Sequence, residues 1–276
     1  MKELLTILIL IVLSTNTVAQ TARGDIISCY DYADLMTQKP DTYQRDVVVM
    51  IDQTVNLDIN LKKTVHMQLG QLLSSGDRIR VVPFSANAKG RYTNVIFDGT
   101  FDTGLTEEQS NAVNRIKLNK FNSCMEKQTS GAIHLVHKKL KDSFHNNEEN
   151  YPNTELVGSL MSVSNTIFSN TDKGRKILIL VSDMLENSDV SSFYVNGRVR
   201  VINANSEFEK YVPLISEKAL SSVDVFVIGA GYVMGGNAYS SQAALNSLKD
   251  FWTKIITKSG GNLLGFGTPQ LLNDIK

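Results

Sequence analysis

Residues 46–56 read DVVVMIDQTVN, an apolar run that ends on Asp52 and continues with Thr54 and Asn56, three oxygen-bearing side chains at alternate positions. A loop leaving a strand can turn alternate side chains around one point. Two more oxygen donors follow other punctuation marks: Thr154 in NTEL, and Asp183 at the end of the apolar run KILILVSDM, with Ser182 before it. Two carboxylates and a few neutral oxygens suit a hard divalent cation, Mg²⁺ or Mn²⁺, because such ions prefer octahedral oxygen ligands and keep several waters. No His or Cys lies nearby in sequence to favour zinc. Taken alone, each acid has a blander use, capping a helix or hydrogen-bonding across the loop.

The elements that must position these residues follow from periodicity. DVVVMID has the continuous β-branched character of a strand buried on both faces, which points to a parallel sheet covered by helices. Leu61, Val65, Leu69 and Leu72 repeat at three- and four-residue spacing, predicting a helix over 57–73. Residues 77–85 and 91–99 read as two strands of an edge hairpin. Residues 105–147 are helical in composition, and a helix with Thr154 as its potential N-cap runs to about Ser169. KILILVSDM (176–184) and VDVFVIGAG (223–231) are further core strands, 199–203 a short ribbon, and a helix over 241–258 leads to a last strand at 262–267. Strand and helix alternate throughout, so the fold class is α/β with one doubly wound, mostly parallel sheet flanked by helices. Acids at the carboxyl ends of strands then sit where such sheets bind ligands.

With that order of elements, the chain resembles the von Willebrand factor type A domain family over roughly residues 45–270. That family has a metal-ion-dependent adhesion site built from an Asp-x-Ser-x-Ser run, a Thr from a later loop and an Asp after a central strand. Asp52-Gln53-Thr54-Val55-Asn56 matches the first element, Thr154 the second and Asp183 the third, and FWTKIITKSGGNLLGF is similar to the closing helix and strand of bacterial members. Thr54 keeps the hydroxyl of the serine it replaces. Asn56 offers an amide oxygen without the compact reach of serine. The resemblance implies binding rather than catalysis, with Asp52, Thr54, Asn56, Thr154 and Asp183 around Mg²⁺ (or Mn²⁺) and an Asp or Glu of another protein completing the sphere. A helical insertion at about 105–150 is longer than that family needs.

Two other classes compete. A metal-dependent phosphohydrolase would use Asp52 as nucleophile, but it wants a second acid two residues on, where Thr54 stands. A structural scaffold of an envelope, secretion or conjugation assembly would carry the same loops with a degenerate site. Gly229-Ala230-Gly231 lies too late in the chain for a dinucleotide fingerprint and reads as a backbone turn. His134, His137 and His145 sit beside Lys138, Lys139 and Lys141 and read as solvated helix-face residues rather than a metal cluster.

The chain as a whole bounds these readings. Its 276 residues, 42% hydrophobic, can bury a sizeable core. Lys plus Arg and Asp plus Glu both number 28, so no bulk field draws the protein to nucleic acid or anionic lipid. The N-terminus, with Lys2, an apolar run from Leu4 to Leu13 and the small-residue stretch Thr17-Val18-Ala19, reads as a secretory signal over 1–19 cleaved after Ala19. An uncleaved anchor is the alternative, although the run is only about half of the roughly 20 residues that span a bilayer. A lead-in over 20–44 would precede the domain, and the product would be periplasmic or secreted, with no membrane insertion after cleavage. In an oxidising compartment the only two cysteines, Cys29 and Cys124, most simply pair; two free buried thiols are the other outcome.

Overall fold

The computed structural model describes residues 24–84, 94–145, 154–168, 173–195, 198–233 and 241–276, with the backbone only at 145 and 198. The expected signal segment 1–19 lies outside the described residues, as do 146–150 of the expected insertion. After a short helix α1 (Cys29–Tyr32), the chain enters β1 (Arg45–Asp52), α2 (Ile59–Leu72), β2 (Asp77–Phe84) and β3 (Phe97–Thr100). Helices α3 (Glu107–Ala112), α4 (Arg115–His145) and α5 (Leu156–Phe168) lead to β4 (Arg175–Val181). A ribbon of β5 (Tyr194–Val195) and β6 (Arg198–Val199), then α6 (Ala204–Tyr211), β7 (Val223–Ile228), α7 (Gln242–Lys258) and β8 (Asn262–Phe266) complete it.

Six strands form one sheet in the order β3-β2-β1-β4-β7-β8, parallel except for the antiparallel edge strand β3. The expected doubly wound α/β class is therefore the observed one. Successive side chains of a strand point to opposite faces, and β1 shows why its sequence lacks polar alternation. Val48 and Met50 pack with Leu156, Leu160 and Trp252 on one face. Val47, Val49 and Ile51 pack with Leu61, Val65 and Val136 on the other. Both faces are dry, so both must be apolar.

Local signals place the helix starts. The Asp58 carboxylate accepts from the Asn60 and Leu61 amides to cap α2, and Thr106 with Gln109 forms a reciprocal capping box on α3. The region 105–145 folds as the short α3 and the long α4. That long helix is fastened to the lead-in by the Cys29–Cys124 disulfide and by the edge-on Tyr30 and Phe121 rings 4.8 Å apart. The expected Cys pairing is thus present.

Two expectations change in detail. Thr154 does not open α5: it sits in an isolated antiparallel bridge with Asn187, and the Leu156 and Val157 amides at the start of α5 donate to the Glu186 carboxylate. A carboxyl acceptor brought from another loop has displaced the local cap. His137 is not a solvated residue either, because its ring packs edge-on against His66 of α2 at 4.8 Å; His134 is exposed.

Candidate metal centre

Strand β1 lies at the middle of the sheet, with β2 on one side and β4 on the other. The chain winds outward in both directions from this pair, which makes the carboxyl ends of β1 and β4 the switch point where open α/β sheets take ligands. Their register pairs Ile51 with Val181. Asp52 and Ser182, one residue further on, are therefore neighbours, and Asp183 follows at once.

The side chains meet there. Asp52 Oδ1 accepts from the Thr54 amide at 2.9 Å and the Thr54 hydroxyl at 2.6 Å, while Oδ2 accepts from the Ser182 hydroxyl at 2.7 Å. The Thr154 hydroxyl donates to Thr54 Oγ1 at 3.1 Å. Asp183 Oδ1 accepts from the Leu185 amide at 2.9 Å, and its Oδ2 accepts from the Tyr194 hydroxyl at 3.0 Å. Gly229, at φ +105°, lets the turn after β7 lie against the Ser182 carbonyl, which a Cβ would approach to 3.0 Å, and the Gly231 amide donates to the Asp183 carbonyl at 2.8 Å. The glycines turn backbone, as their late position suggests.

Asp52, Thr54, Thr154 and Asp183 thus share one cluster. Asn56 does not join it by any hydrogen bond seen among the described residues: its side chain is exposed and accepts from Lys62 Nζ at 3.5 Å, the outer limit of such a bond. Three neighbours escaped the sequence reading as site residues. Ser182 was signalled by its place beside Asp183, whereas Glu186 and Tyr194 lie in a stretch without periodicity and carried no signal.

Electrostatically the centre is unbalanced. Asp52 and Asp183 are 2% and 6% exposed, and among the described residues neither pairs with a Lys or Arg. Burial pushes the Asp52 carboxyl up against the opposing hydrogen bonds from Thr54 and Ser182. Burial, and then the charge of Asp52, pushes Asp183 up to about 8. Burial and the charge of Asp183 raise the Tyr194 phenol in turn. Two adjoining buried acids without a counter-charge favour either retained protons or a cation.

No family model and no curated protein matches the chain. Among solved structures, the pilus adhesin SpaC from Lactobacillus rhamnosus GG, in its open conformation, matches with a TM-score of 0.38 and 11% identity, over 79% of this chain and 27% of the adhesin. BatB, a conserved hypothetical protein from Bacteroides thetaiotaomicron, matches with a TM-score of 0.35 and 13% identity, over 80% of this chain and 90% of that one. An aerotolerance-related membrane protein from Bacteroides fragilis NCTC 9343 gives 0.31 and 11%, covering 81% and 92%. The chain spans about a quarter of the adhesin's length. Likenesses at this level assign no function.

The donor set suits a hard cation. Asp52 and Asp183 would supply charge, and Thr54, Thr154 and Ser182 neutral hydroxyl oxygens; among the described residues no group of three His, Cys, Asp or Glu converges on a metal-sized site.

Proposed function

We propose that this protein is an exported protein-interaction module of the von Willebrand factor type A kind, whose cation at the β1 and β4 ends docks a carboxylate of another protein. The observation that carries the reading is the pair of buried carboxylates Asp52 and Asp183, without a Lys or Arg partner among the described residues, with the Thr54 and Ser182 hydroxyls on Asp52 and the Thr154 hydroxyl on Thr54. Asp52, Thr54 and Thr154 would hold Mg²⁺ or Mn²⁺, with Asp183 direct or through water. The bound ion would supply a Lewis-acidic position for a partner's Asp or Glu. The residues themselves fix the cage, balance its charge and present its open side at the sheet end. A phosphohydrolase wants an acid where Thr54 stands, and Thr54 instead donates its hydroxyl to Asp52, so the module reading is preferred to an enzyme.

Asn56 favours a second reading. Its exposed side chain leans toward Lys62 rather than Asp52, as expected of a scaffold that has lost its ion. Isothermal titration of the chelated protein with Mg²⁺ and Mn²⁺, beside Asp52→Ala, separates the two. One ion bound by wild type and lost in the variant supports the docking module; a folded wild type that binds neither supports the scaffold.

A further inference from the structure

We propose that residues 186–194 form a clasp that sets Asp183 and Thr154 against Asp52, with Tyr194 and Glu186 as its positioning residues. The inference rests on the cation reading of the site. Thr154 and Asp183 come from different connections, one before α5 and the other after β4. The turn after Asp183 grips both.

At the Thr154 end, Asn187 exchanges two backbone hydrogen bonds with Thr154, at 2.8 and 3.0 Å, and the adjacent Glu186 Oε2 accepts the Leu156 and Val157 amides at 2.9 and 3.1 Å. Thr154 and the first turn of α5 are thereby fastened to the chain that leaves Asp183. The Phe193 amide then donates to the Glu186 carbonyl at 2.8 Å, folding the segment back on itself, and the buried Phe193 ring meets Phe251 edge-on at 5.0 Å. That return places the Tyr194 hydroxyl on Asp183 Oδ2.

A carboxylate oxygen has two lone pairs, so Oδ2 can accept from Tyr194 and still face a cation. Partners of this outer kind orient ligands, and their loss costs about 10–100-fold in metal affinity. Glu186 is then more than a helix cap. It is the tie that makes the position of Thr154 depend on the loop of Asp183.

The test is Mn²⁺ titration of the full chain, wild type, Tyr194→Phe and Glu186→Met, which removes the acceptor of the two α5 amides, with Asp52→Ala as the ligand control and melting in EDTA recorded for each. Tyr194→Phe keeps the ring and removes only the donor. The clasp predicts one Mn²⁺ on wild type and about 10–100-fold weaker binding in each variant, with the Tyr194→Phe melting point in EDTA unchanged. A merely structural role would lower the melting point and leave affinity alone, and that result overturns the clasp while sparing the cation site. Should Tyr194→Phe fail to fold, Glu186→Met decides by affinity alone: a folded variant that binds Mn²⁺ as tightly as wild type overturns the clasp. A folded wild type that takes up no Mn²⁺ overturns the cation reading and the clasp together.

Discussion

The Thr154 hydroxyl donates to the Thr54 hydroxyl over 3.1 Å, joining two side chains separated by 100 positions. Thr54 in turn donates to Asp52, so the three oxygens form a chain that ends on a buried carboxylate. Thr154→Val keeps the branched shape and removes the donor. It should cost the apo fold about 0.5–1.5 kcal/mol, the usual net worth of one hydrogen bond. Mn²⁺ affinity should fall by roughly 10-fold or more, because a direct ligand contributes no less than the outer partners that orient it. Chemical denaturation and isothermal titration measure the two effects separately.

Glu186 makes stability depend on pH. Burial, only partly offset by its hydrogen bonds, raises its carboxyl from 4.5 to about 7. A group raised in the folded state contributes stability that is complete below its unfolded value and disappears as pH climbs through the folded one. Between pH 4.5 and 8 the chelated protein should lose roughly 3 kcal/mol from this residue, because each pH unit separating the unfolded and folded values is worth about 1.4 kcal/mol. Glu186→Gln keeps an acceptor oxygen without a charge to bury, and urea midpoints across that range should be flatter in the variant.

His66 and His137 act in the opposite sense. Burial lowers both, and the neighbouring imidazole lowers His66 further. The unfolded chain therefore takes up protons first, and stability should fall as pH drops below 6.5. Lys62, above the Phe144 ring that also meets His66, adds to the positive surroundings. His137→Gln should reduce the acid loss of melting temperature between about pH 7 and pH 5, the range in which a free imidazole titrates; an unchanged slope would rule the pair out as its source.

The Cys29–Cys124 bond closes a span of 95 residues between the lead-in and α4. Loop-closure entropy of that length corresponds to about 4–5 kcal/mol, and removal of native bridges usually costs about 2–5 kcal/mol. Replacing both cysteines by serine should lower the denaturation midpoint accordingly. Because the bridge sits in a separate apolar cluster with Tyr30 and Phe121, which includes none of the site residues, cation binding by the folded double variant should persist.

Much of this architecture is legible along the chain. The unbroken VVVMI and ILILV runs mark strands covered on both faces, the leucine spacing of 61–72 marks α2, and an acid closing each apolar run marks the sheet end that binds ligands. The same reasoning misplaced Thr154 as a helix cap, since a strong local N-cap type gave no sign that Glu186 would reach the α5 amides from another loop. It passed over Tyr194 because 186–212 has neither period nor motif. It also grouped Asn56 with Thr54 by spacing, whereas the side chain leans toward Lys62.

What the sequence determined by itself is therefore the set of elements and the end of the sheet where Asp52 and Asp183 emerge, because apolar periodicity and caps act within a few residues. Only the tertiary structure decided which oxygens meet. The β1–β4 register put Ser182 beside Asp52, and the fold of 186–194 brought Tyr194 to Asp183 and bridged Asn187 to Thr154, whose hydroxyl meets Thr54. Hydrogen bonds of about 3 Å between distant segments depend on register and packing together, and no local pattern encodes either.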